Sequence, residues 1–383
     1  MTAYILDAVR TPRAKARPDG GLASLKPHEL VGGLIDALDA RNDGAARAVD
    51  GLILGAVGQV GAQGANVALV SKLHAGLPDE AFAYSLNNYC VSGLTAIGQA
   101  AQMVEAGGAK TALAGGVEMM SRVPFMGDKA DYYEDASFPQ RTRYIPVVVA
   151  ADRLAEDIGV TREEMDAAAL VSQQRTAAAE GTPLVKSRIP LNGLDREEPA
   201  RASTTAESLA AMPAAFGPLG EQYAEALGGR VIDHRHTVAH APPMCDGAAL
   251  AIVTGEATGA RARIVAYAEA GGDPAASLTA GFNALDRVLA KAELSLDDMD
   301  RIEFMEAFAV TIVKFMRERN VDPAKVNVGG GHMATGHPMG ATGAILVSTL
   351  LDALDACEGR YGIVVAHGAQ GVGSAMIVER LAP

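Results

Sequence analysis

The chain has 383 residues, of which 49% are hydrophobic and 21% charged, so it is long enough for two comparable cores and has an ordinary globular composition. Acidic residues outnumber basic ones, 46 to 33, for a net charge of −13. That balance disfavours nucleic acid as a partner, while a local group of arginines or a helix N-terminus can still hold a small anion.

Residues 1–20 lack the basic segment followed by an apolar core that marks a secretory leader, and no run of about 18 consecutive apolar residues is present. No membrane association and a cytoplasmic location are expected. The three cysteines, Cys90, Cys245 and Cys357, have neither metal-ligand spacing nor the even count of a disulfide framework. A cysteine with a role here is therefore one with reactivity.

Taken in chain order, residues 29–40 (ELVGGLIDALDA) predict an amphipathic helix, and 48–57 (AVDGLILGAV) a strand entered through Asp50 and Gly51. Residues 87–121 predict a turn, a helix of small residues and a glycine-flanked strand. Between about 120 and 238 the strand signals weaken, and a helix at 161–179 opens with a Thr161/Glu164 capping box. The plan then recurs: a helix at 284–294, an acidic turn with Asp298 and Asp300, a strand, a glycine-rich turn with a helix at 340–354, and two apolar runs around Gly368, Gly371 and Gly373. Helix, acidic turn and strand thus occur twice, predicting an α/β protein of two similar βαβ-rich halves with an inserted lobe. The closing pair of runs predicts an edge hairpin.

The repeat brings Cys90 and His337 to corresponding places, each just before a helix. A thiol there faces the positive end of a helix dipole, which favours thiolate. Cys90 reads as a nucleophile on that argument and as a small packing residue on its apolar neighbours. His337, set between Gly336 and Pro338, supplies the base of a Cys-His pair, with His332 nearby and His367 arriving from the last glycine-rich turn. A lone histidine in such a turn is more often structural. His234, His236 and His240 alternate in DHRHTVAH, but no cysteine or carboxylate set completes a site, and no metal is expected.

Several segments together resemble the thiolase family of acyl-CoA C-acyltransferases: AVRTP (8–12), NNYCVSGLTA (87–96), AGGVEMMS (114–121), DGAALAIV (246–253), EAFAV (306–310), GGHMATGHPMGATGA (330–344) and GVGSAMIVER (371–380). The resemblance spans the chain and implies a five-layered αβαβα fold, with an N-terminal half at 1–119 and 239–255, a loop domain at 120–238 and a C-terminal half at 256–383. It implies acyl-CoA and CoA as substrates with no further cofactor, and a homodimer or homotetramer. Position by position, it implies Cys90 as the acylated nucleophile, His337 as its activator, and backbone N–H groups of Cys90 and Ala369 as an oxyanion hole. Claisen condensation or thiolysis of a 3-ketoacyl-CoA would follow. Glu306, Phe308, His240 and Met120 are the expected substrate contacts; Arg122, Arg175 and Arg201 are candidate partners for the CoA phosphates.

Four departures from the family pattern cluster at this site. His367 stands where the second acid/base is usually a cysteine, and imidazole, with an ordinary pKa of about 6.5, can do the same proton transfer. Met305 replaces an asparagine before Glu306 and cannot donate a hydrogen bond. Pro242 and Pro243 stiffen a neighbouring loop, where His240 is a candidate replacement donor, and Phe125 takes the place of a histidine. These changes leave two alternatives open: an acyl-CoA hydrolase or transferase to another acceptor on the same fold, and a non-catalytic acyl-CoA-binding subunit.

Overall fold

In the computed structural model, which describes residues 1–381, the strands are β1 (Tyr4–Arg10), β2 (Ala14–Lys15), β3 (Gly51–Gly55), β4 (Phe82–Leu86), β5 (Thr111–Met119), β6 (Cys245–Thr254), β7 (Ala262–Gly271), β8 (Arg301–Phe304), β9 (Tyr361–Gly368) and β10 (Val372–Arg380). The helices are α1 (Pro27–Arg41), α2 (Val67–Ala75), α3 (Ser92–Glu105), α4 (Val147–Asp157), α5 (Arg162–Ala179), α6 (Ala206–Ala210), α7 (Gly217–Gln222), α8 (Ala280–Ala292), α9 (Ala309–Arg319), α10 (His332–Thr335) and α11 (Thr342–Cys357). The Thr161/Glu164 capping box forms as expected at the start of α5.

The strands run in the order β4-β3-β5-β6-β1-β7-β10-β9-β8, with β2 on β6. The two halves of this mixed sheet are joined only where Tyr4 and Ile5 of β1 pair with Arg263 and Ala262 of β7. Helices α1 and α2 cover the outer face of the first half, α8 covers the outer face of the second, and α3 and α11 lie between the halves. Five layers result, because each half-sheet is apolar on both faces and needs a helix on each. One apolar cluster fills the space under α1 and α2, and a larger one fills the centre and the second half.

The internal repeat extends to single hydrogen bonds. Asp50, before β3, accepts from the N–H groups of Lys110 (2.6 Å) and Thr111 (3.1 Å) at the start of β5. Asp300, before β8, accepts from Arg360 (2.6 Å) and Tyr361 (3.1 Å) at the start of β9. The same acidic residue thus ties two parallel strands in each half. The copies differ where β4 would recur: the second half keeps only the single bridge Ile302–Val326. The predicted hairpin is β9 and β10, but it lies inside the sheet, because β7 takes one flank and β8 the other.

Between β5 and β6 the chain contributes α4 to α7 and no strand of the sheet. The segment Met339–Cys357 is long and apolar enough to cross a membrane by length and composition; 78% of it is buried inside the protein as the central α11.

Candidate active site

The two central helices approach unusually closely at their N-terminal ends. Each has glycine at its second position. A Cβ on Gly93 of α3 would stand 2.8 Å from the Gly340 carbonyl, and one on Gly343 of α11 would stand 2.5 Å from the Leu94 amide. Real Cβ atoms do not sit at such distances from backbone, so the approach depends on glycine at both places. The register is not identical: Cys90 stands two residues before α3, His337 five before α11, with a 3-10 turn at Met339–Ala341 between.

Cys90 and His337 line one cavity of about 470 Å³, together with Ala369, Met120 and Phe308. His337 is fixed through Nδ1, 2.7 Å from the Thr342 hydroxyl, while its Nε2 has no partner. Glu118 of β5 fixes the surrounding loops by accepting from the N–H groups of Val57 (2.8 Å), Gly58 (3.1 Å) and Gly340 (3.0 Å). A carboxylate inside the apolar run AGGVEMMS is the signal that could have flagged it, because an acid there needs partners. Thr342 carries no such signal in sequence.

Backbone strain flanks both reacting elements. Tyr89, before the cysteine, has φ 48°, and Gln370, after Ala369, has φ 57°. Left-handed backbone costs such residues about 1 kcal/mol or more. The turns are held by hydrogen bonds from Tyr89 N–H to the Asn87 side chain (2.9 Å) and from Gln370 N–H to Ser277 Oγ (3.0 Å). The backbone N–H dipoles of Ala369 and of Cys90 itself favour negative charge on the Cys90 sulfur.

Electrostatics correct the thiolate expectation. Burial pushes the Cys90 thiol up to about 12, with the Glu118 carboxylate adding to the effect, and the two backbone N–H groups only partly oppose it. Burial also lowers His337 to about 4, with the Arg13 charge in the same direction. The resting pair at neutral pH is thiol and imidazole, because the desolvation of a charge outweighs the dipole of α3.

His367 lies behind this pair, fully buried and outside the cavity wall, its ring 5.1 Å from that of Phe304. Neither of its nitrogens has a hydrogen-bond partner, and Nδ1 faces Gly281 in the first turn of α8. Burial, with His337 beside it, lowers it to about 3. His332 is also buried, its ring 5.7 Å from that of His337, and is held well below its ordinary range by burial.

Two expected substrate contacts are placed elsewhere. The Glu306 carboxylate accepts from Ser172 Oγ (2.9 Å), Asn327 Nδ2 (3.0 Å) and Met333 N–H (3.3 Å), so it ties α5 to the loop carrying the histidines and is absent from the cavity wall. His240 accepts the Thr237 N–H at Nδ1 (3.1 Å) and donates from Nε2 to Asp166 (2.7 Å), leaving no donor for the place of Met305. Burial holds it near 4. Met305 is itself fully buried and outside the wall.

His234 and His236 are both engaged by Asp152, each Nδ1 at 2.7 Å from one of its oxygens. Among the described residues no group of three or more histidine, cysteine or acidic side chains is placed to hold a metal. Of the three candidate arginines, Arg122 donates to the carbonyls of Ala23 and Leu25, and Arg175 to those of Pro323 and Val326. Arg201 is exposed.

A half-buried thiol and a buried neutral imidazole in one apolar cavity define a site suited to acyl transfer, built on a doubled α/β fold. The comparisons agree with that class. Residues 3–257 match the thiolase N-terminal domain and 258–380 the thiolase C-terminal domain. The chain is 36% identical to a β-ketoadipyl-CoA thiolase of Acinetobacter baylyi, over 99% of each protein, and 33% identical to a steroid 3-ketoacyl-CoA thiolase of Mycobacterium tuberculosis, over 99% of this chain and 94% of that one. The crystal structure of human mitochondrial 3-ketoacyl-CoA thiolase in complex with CoA superposes with a TM-score of 0.86 at 28% identity, covering 100% of this chain and 98% of that one. The chain belongs to the thiolase family and is a thiolase-type acyl-CoA C-acyltransferase.

Proposed function

We propose that Cys90 carries the acyl group, that His337 takes the thiol proton as the bond to the thioester carbon forms and passes it to the CoA sulfur as the bond from that carbon to CoA breaks, and that the N–H groups of Cys90 and Ala369 hold the intervening oxyanion. The observation that carries this reading is the cavity shared by Cys90, His337 and Ala369, with the Ala369 N–H favouring negative charge at the sulfur. Donors fixed in place before the reaction cost no reorganisation when charge develops on oxygen. CoA is released in condensation and consumed in thiolysis, so it is a substrate or product rather than a resident cofactor.

His367 is the proton carrier of the carbon–carbon half-reaction in this reading: it takes the proton from the α-carbon of an incoming acyl-CoA in condensation, and returns one to the α-carbon of the departing acyl-CoA in thiolysis. Its two unpartnered nitrogens and its place beside His337 support the assignment, which requires the cavity wall in front of it to give way when the second acyl-CoA binds. The family resemblance further supports a homo-oligomer, and three cysteines without a disulfide framework support a cytoplasmic location.

Intact-protein mass spectrometry tests the core of the proposal. Acetyl-CoA is expected to add one acetyl group to the wild type and none to Cys90→Ala, and free CoA is expected to discharge it. An adduct on Cys90→Ala would remove the cysteine from its role. An adduct lost only to water would favour the hydrolase alternative.

A further inference from the structure

We infer that the Cys90 cavity selects acyl groups with an apolar tail and rejects those that end in a second carboxylate. This rests on the acyl-cysteine reading above and concerns what Cys90 accepts. The A. baylyi relative is named for β-ketoadipyl-CoA, an acyl group with a carboxylate at its far end. The wall of the present cavity has the opposite character.

Its surface is mostly carbon and sulfur, from residues such as Met120, Phe125, Met126, Phe216, Leu219 and Phe308. Among the described residues, no lysine or arginine contributes to the wall, and Asp128 is the one carboxylate that does. Asp128 accepts from the Tyr133 hydroxyl, 2.9 Å from each of its oxygens. The nearby cations are turned elsewhere. Arg122 is spent on the carbonyls of Ala23 and Leu25, Arg143 on those of Ala136 and Phe138 and on Glu225, and Lys129 is exposed outside the wall.

The rim points the same way. Phe125, Val238 and Met244 are 37%, 62% and 58% exposed, and all three line the cavity. Large apolar side chains left in water at the mouth of an apolar cavity gain from an apolar ligand that covers them. A carboxylate carried into the same space loses its water, finds no cation and meets the charge of Asp128.

The test compares thioesters of equal carbon number on the full-length enzyme: pentanoyl-CoA against glutaryl-CoA, and hexanoyl-CoA against adipyl-CoA. Initial rates of Cys90 acylation are read by intact mass under subsaturating thioester. The methyl-ended member of each pair is expected to react about 100-fold faster, the discrimination that one unpaired buried charge provides; any ratio above tenfold supports the inference. A ratio below tenfold in either pair, or an adduct with acetyl-CoA alone, overturns it. Absence of a Cys90-dependent adduct with every thioester, acetyl-CoA included, brings down the acyl-cysteine reading and the selectivity with it.

Discussion

In the proposed reaction, the ionisation states of Cys90 and His337 decide how the first bond is made. A thiol pushed up to about 12 beside an imidazole held near 4 gives a neutral pair, so proton transfer accompanies attack. His367 is chemically separate from that step. Replacing it with alanine is expected to leave Cys90 acylation by acetyl-CoA within a few-fold of wild type, while slowing condensation of the acetyl-enzyme with a second acetyl-CoA by about 10²- to 10⁴-fold, the usual contribution of a positioned acid/base group. Single-turnover acylation and acetoacetyl-CoA formation, measured separately, check this. An equal loss in both steps would place His367 among residues that merely support the site. His240 and Glu306 teach the complementary lesson: both look functional in sequence, and both are engaged by neighbouring polar groups in the fold.

At the scale of elements, the site depends on how closely α3 and α11 meet. Alanine in place of a glycine inside a helix normally stabilises by about 1 kcal/mol. At Gly93 the added Cβ would press on the Gly340 carbonyl at 2.8 Å and the Ala344 amide at 3.0 Å, both backbone atoms. Backbone cannot rotate out of the way, so overpacking wins over propensity. Gly93→Ala is expected to destabilise the protein by about 1–3 kcal/mol in chemical denaturation. It is also expected to slow Cys90 acylation at least about tenfold, because the turn carrying His337 moves with Gly340. Unchanged stability would show that the two helix ends can part at no cost.

For the whole molecule, buried neutral histidines set the acid limit of stability. In the unfolded chain each titrates near 6.5, whereas His337 and His367 stay neutral in the fold down to about 4 and 3. Below pH 6.5 the unfolded state therefore binds protons that the folded state does not, and stability falls as pH falls through that window. The loss at pH 5 relative to pH 7 is about 2 kcal/mol per such histidine. Denaturation curves at the two pH values should show the fall, and His367→Ala should show a smaller one than wild type. An identical fall in the variant would assign the effect to other groups.

The sequence by itself determined the repeat and pointed to Cys90 and His337 as a pair, because those features reside in local patterns. Asp50 and Asp300 announce their strands, a capping box announces α5, and Cys90 and His337 stand in glycine-rich turns before helices. Tertiary structure decided what depends on neighbours distant in the chain. It moved the final hairpin from the edge to the interior of the sheet and withdrew Glu306 and His240 from the cavity. It also gave Thr342 the task of holding His337, and turned an expected thiolate into a thiol. The physical reason is common to all of these: desolvation and hydrogen-bond satisfaction depend on what surrounds a group on every side, and that is set only when the layers pack.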